Sequence, residues 1–116
     1  MRDLNERLLE FAVKVIALLN VFPRSILAAT IIKQLMRSAT SAGSNYEEAC
    51  GAESRADFAH KLAIVLKELK ESRFWLLLIG RTRIVRNDRV DPVLQECEEL
   101  CAIIAKSILT VRQKRS

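Results

Sequence analysis

The stretch Leu4-Asn5-Glu6-Arg7-Leu8-Leu9-Glu10-Phe11-Ala12-Val13-Lys14-Val15-Ile16-Ala17-Leu18-Leu19-Asn20-Val21-Phe22-Pro23 decides the fold. Leu4, Leu8, Phe11, Val15, Leu18 and Phe22 follow one another at steps of 4, 3, 4, 3 and 4 residues. That spacing lines one face of a helix and forms the seam that a helical bundle buries. Asp3 precedes the seam and Glu6 stands three residues on, a capping box with Asp in place of Ser or Thr. Pro23 ends the segment, because it has no N–H for the next turn.

Three further segments repeat the pattern. The second spans about residues 24–50, with Ala28, Ile32, Leu35, Ala39, Ala42, Tyr46 and Ala49 as its seam. Its middle, Ser38-Ala39-Thr40-Ser41-Ala42-Gly43-Ser44-Asn45, carries no large side chain, so a neighbouring helix can approach closely. Gly51 fits the residue after a helix end. The third segment is capped by Ser54, with Asp57 in its first turn and a seam of Phe58, Leu62, Val65, Leu69, Ser72, Leu76 and Ile79. Residues 81–90 read as a loop, and Asp91-Pro92 as the N-cap and first position of a fourth helix. That helix has its seam at Leu94, Cys97, Cys101, Ile104, Ile108 and Val111. No strand alternation interrupts the series. Short connections favour antiparallel neighbours, so the expected fold is all-α, an antiparallel up-down-up-down four-helix bundle.

The composition agrees. The 116 residues suit one domain over 1–116, and 50% apolar content can fill a core without disulfides. Three Gly and two Pro are too few for a turn-rich β fold. Three Cys make an odd count without paired spacing, which points to a reducing compartment. The longest unbroken apolar run, residues 74–79, is six long, against the roughly 20 that a membrane span needs. The first residues, Met1-Arg2-Asp3-Leu4-Asn5-Glu6-Arg7, do not read as a signal peptide. A cytoplasmic protein without a membrane partner is expected. With 19 Lys+Arg against 14 Asp+Glu, the chain suits an acidic partner without requiring one.

The second and third segments also carry a signature. Gln34-Leu35-Met36-Arg37-Ser38-Ala39-Thr40-Ser41-Ala42-Gly43-Ser44-Asn45-Tyr46-Glu47-Glu48-Ala49 is followed by Gly51-Ala52-Glu53-Ser54-Arg55-Ala56-Asp57-Phe58 and by Leu66-Lys67-Glu68-Leu69-Lys70-Glu71-Ser72-Arg73-Phe74-Trp75-Leu76. These runs resemble the bacterial four-helix-bundle family associated with intervening sequences in 23S rRNA genes. Phe11 and the pair Phe22-Pro23 fit the same pattern, so the likeness covers nearly the whole chain. Where many relatives have Gly after the acidic pair of the second helix, this chain has Ala49. The resemblance implies a homopentamer without enzymatic activity. The family's tie to rRNA is genetic, through the location of its genes. Accessory proteins of diversity-generating retroelements are similar in fold, and they form basic pentameric barrels that bind a reverse transcriptase and nucleic acid.

Two surfaces stand out as candidates. Arg81, Arg83, Arg86 and Arg89 fall between the third and fourth helices, and in an up-down bundle Arg24 lies at the same end. Five arginines face Asp88 and Asp91 there, a charge balance that can hold phosphates and weakens with salt. No aromatic residue interleaves with them, so no single-strand stacking platform is evident. Phe74, Trp75 and Leu78 belong to the run that is apolar all round, and a lone bundle leaves one face of each helix wet. The run calls for either a covering loop or a second subunit, and Phe74, Trp75 and Leu78 are the expected subunit contact.

Other groups read as structural. Asn45, Glu47, Glu48, Glu68 and Glu71 could gather carboxylates, yet diiron bundles use Glu-x-x-His and His60 follows no Glu at that spacing. Arginines nearby favour a hydrogen-bonded network instead. Cys97 and Cys101 lie on the seam, where Cys packs as a small hydrophobe, and Cys50 is remote from them. Basic residues in the tail, Arg112, Lys114 and Arg115, suit a helix C-terminus. No cofactor, metal or small-molecule substrate is expected. The chain reads as a non-enzymatic homo-oligomer with RNA or DNA as partner, structured RNA first. The alternative is a protein-interaction scaffold, including a reverse-transcriptase accessory role, without nucleic-acid specificity. A metallo-enzyme built on the glutamates ranks third.

Overall fold

Asp3 does cap the first helix, its carboxylate accepting from Asn5 N–H at 3.2 Å. In the computed structural model, which describes residues 3–113, four helices follow in order. They are α1 (Leu4–Leu19), α2 (Ile26–Cys50), α3 (Arg55–Thr82) and α4 (Asn87–Gln113). Ser25 caps α2 by accepting from Ala28 N–H, and Ser54 caps α3 by accepting from Asp57 N–H, each at 3.0 Å. Each helix packs on two others, α1 on α2 and α4, and α3 on α2 and α4. The result is the expected four-helix bundle, a rod of 52 × 21 × 21 Å.

The seams meet along the rod axis. Leu8, Phe11, Val15, Leu35, Leu62, Leu69, Leu76 and Ile104 are all fully buried there. Each contributes about 1.5–3 kcal/mol by leaving water. Ala39 and Ala42 are also at 0% exposure, so the small-residue stretch of α2 does sit against its neighbours. A β-carbon placed on Gly43 would meet Leu8 Cβ at 3.8 Å, an ordinary contact. Ser38 and Ser72 are the buried polar residues, and their hydroxyls satisfy each other at 2.7 Å across α2 and α3.

Helix ends differ from the expected ones. α1 stops at Leu19 because Val21 N–H turns back to Leu18 C=O and Phe22 N–H to Leu19 C=O, both at 3.2 Å. Phe22 therefore leaves the helix, although its ring still packs on the core. α2 begins after Ser25, not at Arg24. α3 runs through Gly80 to Thr82 and ends on Arg83 in the left-handed region, φ 55° and ψ 35°. Gly51, by contrast, keeps a negative φ of −96°. The expected loop over residues 81–90 shrinks to 83–86, because α4 starts a turn before Asp91-Pro92. Val90 and Val93, at 1% and 6% exposure, explain the extra turn, since both are anchored in the core. Pro92 lies inside the helix on its exposed side, and Asp88 one turn back is an exposed residue, so water can take the place of the missing N–H.

Candidate nucleic-acid interface

Antiparallel packing brings the α1–α2 connection, the end of α3 and the start of α4 to one tip of the rod. The five predicted arginines are all there, but on firmer supports than a loop. Arg81 lies in the last turn of α3, Arg83 is its C-cap, Arg86 precedes α4, and Arg89 is in the first turn of α4. Arg24 lies in the α1–α2 connection. Arg83, Arg86 and Arg89 share an open recess of about 740 Å³ with Val21, Ile84, Val85, Asn87 and Asp88. All five arginines are exposed. Arg86 pairs with Asp88 at 3.0 Å, a contact whose strength solvent screens. Among the described residues Arg24, Arg81, Arg83 and Arg89 have no ion pair, so their charge is available to an anion.

The predicted subunit contact divides. Within one chain Leu76 and Ile79 are fully buried, while Trp75 and Leu78 are half-buried against the core. Phe74 is 57% exposed, its ring set edge-on to Trp75 with centroids 5.1 Å apart. The Trp75 indole N–H donates to Glu71 at 3.2 Å. Sequence reading missed a second apolar stripe, Leu9, Val13 and Ile16 on α1, because these residues lie off the seam. Their 4 and 3 spacing on the outer face was the available signal. It also missed Ile26 and Leu27 at the start of α2.

The glutamates of α3 form the expected network. Arg37 reaches from α2 to Glu68 at 3.3 Å and to Glu71. Its hydrogen bond holds the Glu71 carboxyl below its usual range, with the Trp75 indole N–H adding to the effect. Ser41 donates to Glu68 at 3.0 Å, and Asn45 donates to Ser41. Glu47 and Glu48 remain exposed outside this network. Among the described residues no group of three or more His, Cys, Asp and Glu could hold a metal. Cys97 is buried and donates to Leu69 C=O at 3.3 Å. Hydrogen bonding to Cys101 and burial push the Cys97 thiol up, and the same bond lowers Cys101 beside Arg73 and Lys70. Cys50 and His60 are exposed. Of the basic tail Arg112 is in the last turn of α4, while Lys114 and Arg115 lie outside the described residues.

A four-helix rod with an arginine-bearing tip and no helix long and apolar enough to cross a membrane defines a small basic helical-bundle protein. The profile of the 23S rRNA-intervening sequence proteins matches residues 3–106, and the chain belongs to that family. A crystal structure of a protein of unknown function from the S23 ribosomal protein family of Bacteroides thetaiotaomicron is similar, with TM-score 0.81 and 34% identity over 91% of this chain and 98% of that one. No curated protein matches this chain.

Proposed function

We propose that this chain is a non-enzymatic, self-associating bundle that contacts nucleic acid, structured RNA first, through its arginine-bearing tip. The observation that carries the reading is the convergence of Arg24, Arg81, Arg83 and Arg89 on one end without ion pairs. Membership of an rRNA-associated family supports RNA over other polyanions. Phe74 and the Leu9, Val13, Ile16 stripe are candidates for burial between subunits. In a pentameric ring, the arrangement implied by the resemblance, the tips would repeat around one rim.

Light scattering with and without an rRNA fragment tests both halves. The reading expects a particle near five times the 13.2 kDa chain mass that shifts on adding RNA. Changing Arg81, Arg83, Arg86 and Arg89 to Ala should abolish the shift. Unaltered RNA affinity in that variant would remove the site. A monomer would remove the subunit contact. The second reading, a protein-interaction scaffold, is favoured by the same exposed apolar side chains. It expects weak binding to any polyanion and no preference for RNA.

A further inference from the structure

Ile26 and Leu27 are the most exposed large apolar side chains among the described residues, at 89% and 80%. They do not sit on a loose segment. They fill the first two positions of α2, under the Ser25 cap, and the next residue, Ala28, is 1% exposed in the core. The backbone beneath the pair is therefore fixed. Arg24 stands two residues before Ile26, and the antiparallel packing sets the start of α2 beside the end of α3, where Arg81 and Arg83 lie. The tip thus carries a rigid aliphatic pair and, at the same end, the arginines.

We propose that Ile26 and Leu27 form a wedge that enters between stacked bases of a helical nucleic acid while the arginines of the same tip hold the flanking phosphates. The inference rests on the nucleic-acid reading above and names its target class, a helix with a weakened step such as a bulge. Three features select this occupant. Arginines without ion pairs among the described residues lie at the same end of the bundle as the apolar pair, and a phosphate backbone complements their charge. The wedge residues are aliphatic, and side chains such as Leu and Ile unstack base steps in that way. The aromatic ring at this end, Phe22, packs on the core, which leaves no platform for an already unstacked strand. Unstacking is easiest where pairing is already broken, so a bulged helix should bind more tightly than a continuous one.

The test uses a hairpin RNA with a single bulge and 2-aminopurine beside it, whose emission rises when the base leaves the stack. Wild-type protein should bind by anisotropy and raise the emission several-fold. The double variant Ile26→Ser/Leu27→Ser should still bind with the same salt slope, leave the emission at its free value, and lose the preference for the bulge. A melting curve like the wild type's establishes that this variant is folded. Emission raised equally by wild type and variant, or wild-type binding without any rise, overturns the wedge. Wild type that does not bind at all overturns the nucleic-acid reading as well. Two results would assign the pair elsewhere and so refute the proposal. One is loss of assembly mass in the variant. The other is cosedimentation with phosphatidylserine vesicles that depends on Ile26 and Leu27 while 2-aminopurine stays silent.

Discussion

Arg83→Gly should make the protein more stable and a poorer ligand for RNA. Arg83 is the non-glycine residue with positive φ among the described residues, at 55°. A side chain with a β-carbon loses about 1–2 kcal/mol in that region. Glycine relieves this, but its freer unfolded chain takes back about 0.5–1 kcal/mol. The net gain is about 0.5–1 kcal/mol, a rise in melting temperature of roughly 3 °C for a chain of this size. At the same time one guanidinium leaves the recess it shares with Arg86 and Arg89. Loss of one phosphate contact should lower the slope of log affinity against log salt by about 1. Thermal melts and an RNA titration at several salt concentrations read both effects. Arg83→Ala is the control, since it removes the charge and keeps the β-carbon. It should bind as weakly as the glycine variant without its added stability. A glycine variant that melts at or below the wild-type temperature refutes the backbone argument. Unchanged affinity in both variants refutes Arg83 as a phosphate contact.

Other consequences can be measured on the folded chain. Arg37→Ala should cost about 1 kcal/mol in a urea melt, a modest figure because the pair with Glu68 and Glu71 is partly exposed. Glu71 titrates below its ordinary value of 4.5 when folded, so its contribution is present above that pH and lost as pH falls through the lower folded value. The variant should therefore show a flatter stability profile on the acid side. Ser38→Ala should destabilise by about 1–2 kcal/mol, since it leaves the Ser72 hydroxyl buried without its partner. The double variant Ser38→Ala/Ser72→Ala should cost less than the two single changes together, which a double-mutant cycle reads. Gly43→Ala should raise the melting temperature, because its β-carbon finds ordinary contact with Leu8 while the helix gains about 1 kcal/mol in propensity.

The four seams were legible because a period near 3.5 residues has one structural meaning, and Leu8, Leu35, Leu69 and Ile104 are buried where that period puts them. The Ser54 cap of α3 was legible from local chemistry, whereas the segment begun at Arg24 passed over the Ser25 cap of α2. The junction of α3 and α4 was not legible. Asp91-Pro92 is a sound local start signal, but Val90 and Val93 bury against the other helices and extend α4 backward past it. Gly80 likewise does not end α3, since Ile79 before it is fully buried and the turn continues to Thr82. At the tip, five arginines could be counted along the chain, yet their freedom from ion pairs depends on distances that only folding sets. Ile26 and Leu27 could have been found, since the seam read through Ala28 leaves both off the buried face, where they are 89% and 80% exposed.

Arg7 joins Glu96 and Glu99 of α4 at 2.9 and 2.7 Å, partners that lie 89 and 92 positions away along the chain. That clasp has a bearing on how the rod is built. The pairs α2–α3 and α3–α4 meet through short turns, so each can zip up with little loss of chain entropy. Seating α1 on α4 closes a loop of nearly the whole molecule, a slow kind of event. With 16 residues, α1 is also the shortest helix. It is therefore the strut expected to come away first, and its backbone amides should exchange with solvent ahead of those of the other three helices.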